Sequence, residues 1–182
     1  VILAAGASRR LGTPKQLLPY RDTTVLGATL GVARSCGFDQ LIVTLGAAAA
    51  DIRAGVNLDG VDVALAQPGD SGCSSSLRAA LDEVDPTSAG IVLLLGDQPG
   101  VRFSAVRDVL HQGDIAVCRY SDGIGHPFWL SRSMFGELRG LHGDKGVWKL
   151  IESRPVREVA VDGTVPLDVD TWDDYQRLLA HR

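Results

Sequence analysis

Ile2-Leu3-Ala4-Ala5-Gly6-Ala7-Ser8-Arg9-Arg10-Leu11-Gly12-Thr13-Pro14-Lys15 is a short apolar run that breaks into a glycine-rich, basic loop. A buried parallel strand reads this way, and open α/β sheets bind their ligands at the carboxyl ends of such strands. Gly6 and Gly12 let the backbone turn sharply and approach a ligand closely. Successive N–H groups in such a loop form an anion-binding nest, and Arg9, Arg10 and Lys15 add positive charge beside it. The expected guest is a polyphosphate. Lys15 follows Pro14 rather than glycine, so this is not the Walker loop, and it is not the G-x-G-x-x-G dinucleotide loop either.

Outward from this stretch, β-rich runs alternate with helical patterns. Val1–Ala5, Leu41–Leu45, Val61–Ala66, Ile91–Leu95, Asp114–Tyr120 and Val156–Val161 read as strands. Thr24–Cys36, Ala47–Ala54, Ser74–Val84, Phe103–His111, Arg132–Arg139, Lys145–Glu152 and Thr171–His181 read as helices. Thr171 suits an N-cap, with Asp173 and Asp174 in the first turn. Such alternation implies βαβ units. The expected fold is α/β: one domain over residues 1–182, a Rossmann-like three-layer sandwich with a mostly parallel sheet. Asp122–Gly125 reads as a hairpin turn between Tyr120 and Phe128, which makes one strand antiparallel.

Bulk properties narrow the classes. The 182 residues are 45% hydrophobic and 22% charged, with a net charge of −4, which argues against a nucleic-acid-coating surface. No apolar stretch reaches membrane-span length, and no signal-peptide pattern is present. Cys36, Cys73 and Cys118 are widely spaced and lack metal-ligand spacing; reduced thiols in a cytoplasmic protein are expected. Val1 falls inside the first strand, so residues are expected to precede it. The lysines are Lys15, Lys145 and Lys149 alone.

Four further segments carry chemistry. In Ile91-Val92-Leu93-Leu94-Leu95-Gly96-Asp97-Gln98-Pro99 a central strand ends in an acid, placed to hold Mg²⁺ against phosphate oxygens. In Leu167-Asp168-Val169-Asp170-Thr171, Asp168 and Asp170 alternate, so both face one side of an extended segment. They offer partner carboxylates, or they merely cap the last helix. Gly72-Cys73-Ser74-Ser75-Ser76-Leu77 begins a helix with groups able to meet a ligand. Gly123-Ile124-Gly125-His126-Pro127-Phe128 and Gly143-Asp144-Lys145-Gly146 suit a second anionic, hydrogen-bonding substrate.

The pattern of Leu3, Ala4, Ala5, Gly6, Ser8, Arg10, Gly12 and Lys15 resembles the L-A-A-G-x-S-x-R-x-G-x-x-K stretch of MobA-like nucleotidyltransferases. With the other segments in the same order from Leu3 to Asp174, the chain resembles the molybdenum-cofactor cytidylyltransferases. The G-H-P and G-D-x-G segments separate these from generic sugar-nucleotide enzymes. The resemblance implies that these eight residues, with Gln67, Gly72, Ser74, Ser75, Ser76 and Asp97, bind the nucleotide. Arg10, Lys15 and Asp97 act in catalysis. Asp97 and Asp170 hold Mg²⁺, with Asp168 a weaker candidate. His126, Pro127, Gly143, Asp144 and Lys145 bind the acceptor.

By the same resemblance the donor is CTP, because guanylyl-transferring relatives have glycine at position 5. The acceptor is molybdopterin carrying molybdenum, and the client is a molybdenum hydroxylase; neither nucleic acid nor membrane is a partner. Cys73 replaces the family's methionine, and Gln67 stands where asparagine is common. A sugar-1-phosphate or phospho-lactate acceptor remains open, as does a non-catalytic carrier of the pterin cofactor.

Overall fold

A computed structural model describes residues 1–66, 72–143 and 145–180. Ile2–Ala4 forms β1, buried throughout. After the basic loop a 3₁₀ turn spans Lys15–Leu17, and β2 (Pro19–Tyr20) pairs antiparallel with β3 (Thr23–Thr24). Thr24 caps α1 (Val25–Ser35) by accepting a hydrogen bond from the Gly27 N–H at 3.0 Å. Then come β4 (Ile42–Leu45), α2 (Ala49–Gly55), β5 (Asp62–Leu65), α3 (Cys73–Glu83), β6 (Gly90–Leu95) and α4 (Phe103–Val109). The chain continues with β7 (Ile115–Tyr120), β8 (Gly123–Ser131), α5 (Phe135–Arg139), α6 (Gly146–Ser153), β9 (Arg157–Ala160) and α7 (Trp172–Ala180).

Seven strands form one sheet in the order β5-β4-β1-β6-β8-β7-β9. Among them β8 alone is antiparallel to its neighbours, β6 and β7. The expected α/β architecture, with one reversed strand in a parallel sheet, is the one observed. Strand periodicity divides the core between the two faces. Ile2, Ala4, Val43, Leu45, Val92 and Leu94 meet α1, α2 and α4. Leu3, Ile91, Leu93, Val117, Phe128 and Leu130 meet α3, α5 and α6. A smaller cluster, Leu11, Leu18, Tyr20, Val25, Val169, Tyr175 and Leu178, seats α7 on the β2–β3 ribbon and the first loop.

The differences from expectation are local. The β7–β8 turn is shorter than Asp122–Gly125: Tyr120 pairs with Gly123, so Ser121 and Asp122 make the turn and the glycines already belong to the strand. The helix expected from Arg132 starts as a 3₁₀ turn, Arg132–Met134. The β2–β3 ribbon was not legible, because two-residue strands leave no periodicity to read. His181 lies outside the described residues.

Two features of the sheet position the site. β1 and β6 are neighbours, with Leu3 opposite Leu95, so the basic loop and Asp97 leave the sheet side by side. Gly96 makes that closeness possible, since a Cβ there would sit 2.7 Å from Ala4 Cβ. In β8, Phe128 is opposite Leu93, which puts His126 at the end of the sheet that carries Asp97. The register of β7 against β8 shifts between Val117 and Cys118, leaving His126 and Pro127 as a bulge. Bulges of this kind re-aim side chains beside active sites.

Candidate active site

The first loop folds back on itself. Leu11 N–H and Gly12 N–H both donate to the Ser8 carbonyl, at 3.0 and 3.2 Å. Left-handed backbone falls on Ser8 (φ 50°) and Gly12 (φ 69°). Gly12 is the residue suited to that region; Gly6 is not among the positive-φ glycines. Ser8 Oγ accepts from the Lys15 N–H at 3.0 Å and closes the loop.

Lys15 is the hub. Its Nζ donates to Asp97 Oδ2 and to Asp170 Oδ1 at 2.7 Å. Arg10 Nη2 donates to Asp170 Oδ2 at 2.9 Å. The Lys15 side chain is 10% exposed and that of Asp170 43%. Burial pulls the Lys15 pKa down, but the two carboxylates outweigh it and the net shift is upward. The Lys15 hydrogen bond, supported by Arg10, holds Asp170 below the usual carboxylate range. Two acids from segments 73 residues apart thus converge on one cation.

Asp168 stands beside this pair but is joined to another group. Its Oδ1 accepts from Gln98 Nε2 at 2.9 Å. The residue is exposed overall, yet its carboxylate is partly withdrawn from water. That desolvation, with the charge of Asp97 and then Asp170, raises its pKa to about 6 against the Gln98 hydrogen bond. Among the described residues no three His, Cys, Asp or Glu side chains are grouped to hold an ion. Asp97 and Asp170 nevertheless suit a divalent ion, because Mg²⁺ commonly takes one or two carboxylates with substrate phosphates, and Lys15 Nζ already marks a cation position between them.

Two glutamines that the sequence did not single out brace the site. Gln16 is 2% exposed, and its Nε2 donates to the carbonyls of Ala4 at 2.6 Å and Gly6 at 3.2 Å. Gln98 is 3% exposed. The side-chain oxygens of both are buried without a hydrogen-bond partner among the described residues. Each directly follows a charged site residue, Lys15 or Asp97, in an otherwise apolar run, and that placement was the available signal.

The remaining candidates among the described residues lie along the same sheet end. Gly72 (φ 110°) precedes α3, and Ser74, Ser75 and Ser76 are buried in its first turn. Ser74 Oγ donates to the Gly143 carbonyl at 2.6 Å, tying the serine run to the Gly143–Gly146 segment. Lys145 is exposed at the start of α6. Gln67 and Asp144 lie outside the described residues.

His126 is 5% exposed. Its ring stacks on Phe128 at 4.0 Å and meets the edge of Trp148 at 6.0 Å. Burial lowers its pKa to about 3, so the imidazole is neutral at physiological pH. His126 is thus left with a neutral ring N–H as the group it could offer an acceptor.

This burial sets a pH dependence. A folded-state pKa below the unfolded value means the unfolded chain binds the extra proton. The stability contribution is full above about 6.5 and is lost as pH falls from there toward 3. His126→Phe is expected to flatten that acid limb in urea titrations between pH 4 and 7; an unchanged slope refutes the assignment.

A family model for the MobA-like NTP transferase domain matches residues 1–159. The chain belongs to this family. Over 98% of its length it is 65% identical to Rv0371c from Mycobacterium tuberculosis H37Rv, covering 95% of that chain with a TM-score of 0.94. A structure of Rv0371c in complex with manganese matches all of this chain and 97% of that one, at 61% identity and a TM-score of 0.90. The nicotine blue oxidoreductase of Paenarthrobacter nicotinovorans is 30% identical, over 98% of this chain and 95% of that protein. As a MobA-like transferase the chain is a nucleotidyltransferase family enzyme. No helix among the described residues is long and apolar enough to cross a membrane.

Proposed function

We propose that the protein transfers CMP from CTP to the terminal phosphate of molybdenum-loaded molybdopterin and releases pyrophosphate. The convergence of Arg10, Lys15, Asp97 and Asp170 at the mouth of the Gly6–Gly12 loop carries this reading. It provides both signs of charge that a metal–triphosphate needs. The G-H-P and G-D-K-G segments, which resemble those of the cytidylyltransferases, support the acceptor, and Ala5 in place of glycine supports cytosine. The client would be a molybdenum hydroxylase.

In the reaction an acceptor phosphate oxygen forms a bond to the α-phosphorus in line as the α–β bridging P–O bond breaks. A phosphate monoester has a second pKa of about 6 and needs no general base. The loop N–H groups and Arg10 bind the β- and γ-phosphates and stabilise the leaving charge. Asp97 and Asp170 would hold Mg²⁺, which supplies charge withdrawal from the phosphate oxygens when bound. Lys15, now between those acids, would contact the same oxygens. The Gly143 segment, held by Ser74, orients the second substrate.

Pyrophosphate release measured with each of the four nucleoside triphosphates, with and without molybdenum-loaded molybdopterin, tests the proposal. Release with CTP that depends on the pterin and on Mg²⁺ is the expected result. Release driven instead by a sugar-1-phosphate or phospho-lactate would reassign the acceptor. Pterin binding without release under any condition would make the protein a carrier. A redox change of added nicotine blue would point instead to the activity named for the Paenarthrobacter relative.

A further inference from the structure

We infer that Asp168 is a positioning residue rather than a metal ligand, and that with Gln98 it forms a clasp presenting Asp170 to Asp97. This rests on the metal role proposed above for Asp97 and Asp170. The segment that carries Asp170 belongs to no strand of the sheet, so the ladder does not fix its place. Besides the ion pairs of Asp170 itself, two hydrogen bonds tie the segment to the end of β6. Val169 N–H donates to the Asp97 carbonyl at 3.1 Å, and Gln98 Nε2 donates to Asp168 Oδ1 at 2.9 Å.

One such bond would set the segment's height and leave it free to rotate. Two bonds from adjacent residues, one to backbone and one to a side chain, set its orientation as well. Val169, fully buried in the cluster under α7, holds the opposite side. Asp168 and Asp170 alternate, so anchoring the first carboxylate aims the second, which meets Lys15 at 2.7 Å. Gln98 is suited to the anchor: it is 3% exposed, and its backbone carbonyl accepts from Thr29 Oγ1 at 3.5 Å on α1. A carboxylate already accepting from a buried amide is placed to orient a ligand. Partners of that kind govern metal sites strongly.

The test uses the full chain with a non-hydrolysable CTP analogue and two readouts. Free Mn²⁺ is counted by electron paramagnetic resonance, and exchange of the Val169 amide is followed by hydrogen–deuterium exchange. Gln98→Met and Asp168→Ala are expected to weaken Mn²⁺ binding about ten-fold and to speed Val169 exchange. The double variant should be no worse than either single one, as for residues acting through one contact. Asp168→Asn keeps an oxygen able to accept from Gln98, so it should restore slow exchange and most of the Mn²⁺ affinity.

Asp170→Asn should lose more affinity than any of these while leaving Val169 exchange slow. If Asp168→Asn loses as much affinity as Asp170→Asn, Asp168 is a ligand and the inference falls. Unchanged Val169 exchange in Gln98→Met and Asp168→Ala also overturns it, whatever happens to the metal. If exchange follows the clasp but Asp170→Asn binds Mn²⁺ normally, the clasp stands and the metal role of Asp170 is what fails.

Discussion

Asp97→Asn is expected to lower turnover about a thousand-fold while leaving the fold intact. Metal-assisted neutralisation of a phosphoryl centre is worth several kcal/mol, and each ~1.4 kcal/mol is a factor of ten in rate. Asparagine is nearly isosteric, and the Asp97 carbonyl that receives Val169 N–H belongs to the backbone, so the clasp on the Asp170 segment survives. Nucleotide binding through the first loop should persist in weakened form. The check is steady-state pyrophosphate release over a range of Mg²⁺, alongside a thermal melt. Near-normal, Mg²⁺-dependent turnover in a folded variant would remove Asp97 from the metal site.

Lys15→Ala has the second largest expected effect, and its sign depends on the metal. The ammonium is the cation that Asp97 and Asp170 share. Removing it from chelated protein leaves two neighbouring carboxylates without it. Breaking a buried pair costs about 3–5 kcal/mol; Asp170 is half-exposed and still faces Arg10, so the discounted cost is about 2 kcal/mol. For a chain of this size that is a fall in Tm of about 4–8 °C.

Adding Mn²⁺ should then raise Tm more in the variant than in the wild type, because the ion no longer competes with the ammonium. Binding of nucleoside triphosphate should weaken about 10–100-fold, the scale of a lost charged hydrogen bond, and more than binding of the monophosphate. An unchanged Tm in chelator, or a metal-induced rise no larger than in the wild type, would show that Lys15 does not occupy the cation position.

How much of this was legible in the sequence differs by element. The strands were readable because buried strands are nearly continuous apolar runs. Ile91–Leu95 is the plainest case, found as Gly90–Leu95. The reversal of β8 followed from the short, glycine-marked connection after Tyr120, since two residues can join antiparallel strands but not parallel ones. Thr171 was readable as a cap, and it does accept from the Asp174 N–H at 3.1 Å while Asp174 reaches back to the Thr171 N–H at 2.9 Å.

The sequence by itself thus determined the layers, the reversed strand and the two ends of the ion-pair hub, because these depend on local periodicity, turn chemistry and residue type. It also brought the basic loop and Asp97 to the same end of the sheet, through the carboxyl-end rule for parallel strands. Only the tertiary structure decided that Lys15 lies between Asp97 and Asp170. That requires α7 to seat on the β2–β3 ribbon through Val169, Tyr175 and Leu178, a contact across more than 150 residues that no local pattern encodes. Tertiary packing also buried His126 against Phe128 and Trp148 and so kept it neutral, and it gave Asp168 a partner in Gln98. A side chain's charge and its partner depend on what the folded chain places within a few ångströms, and spacing along the sequence does not carry that information.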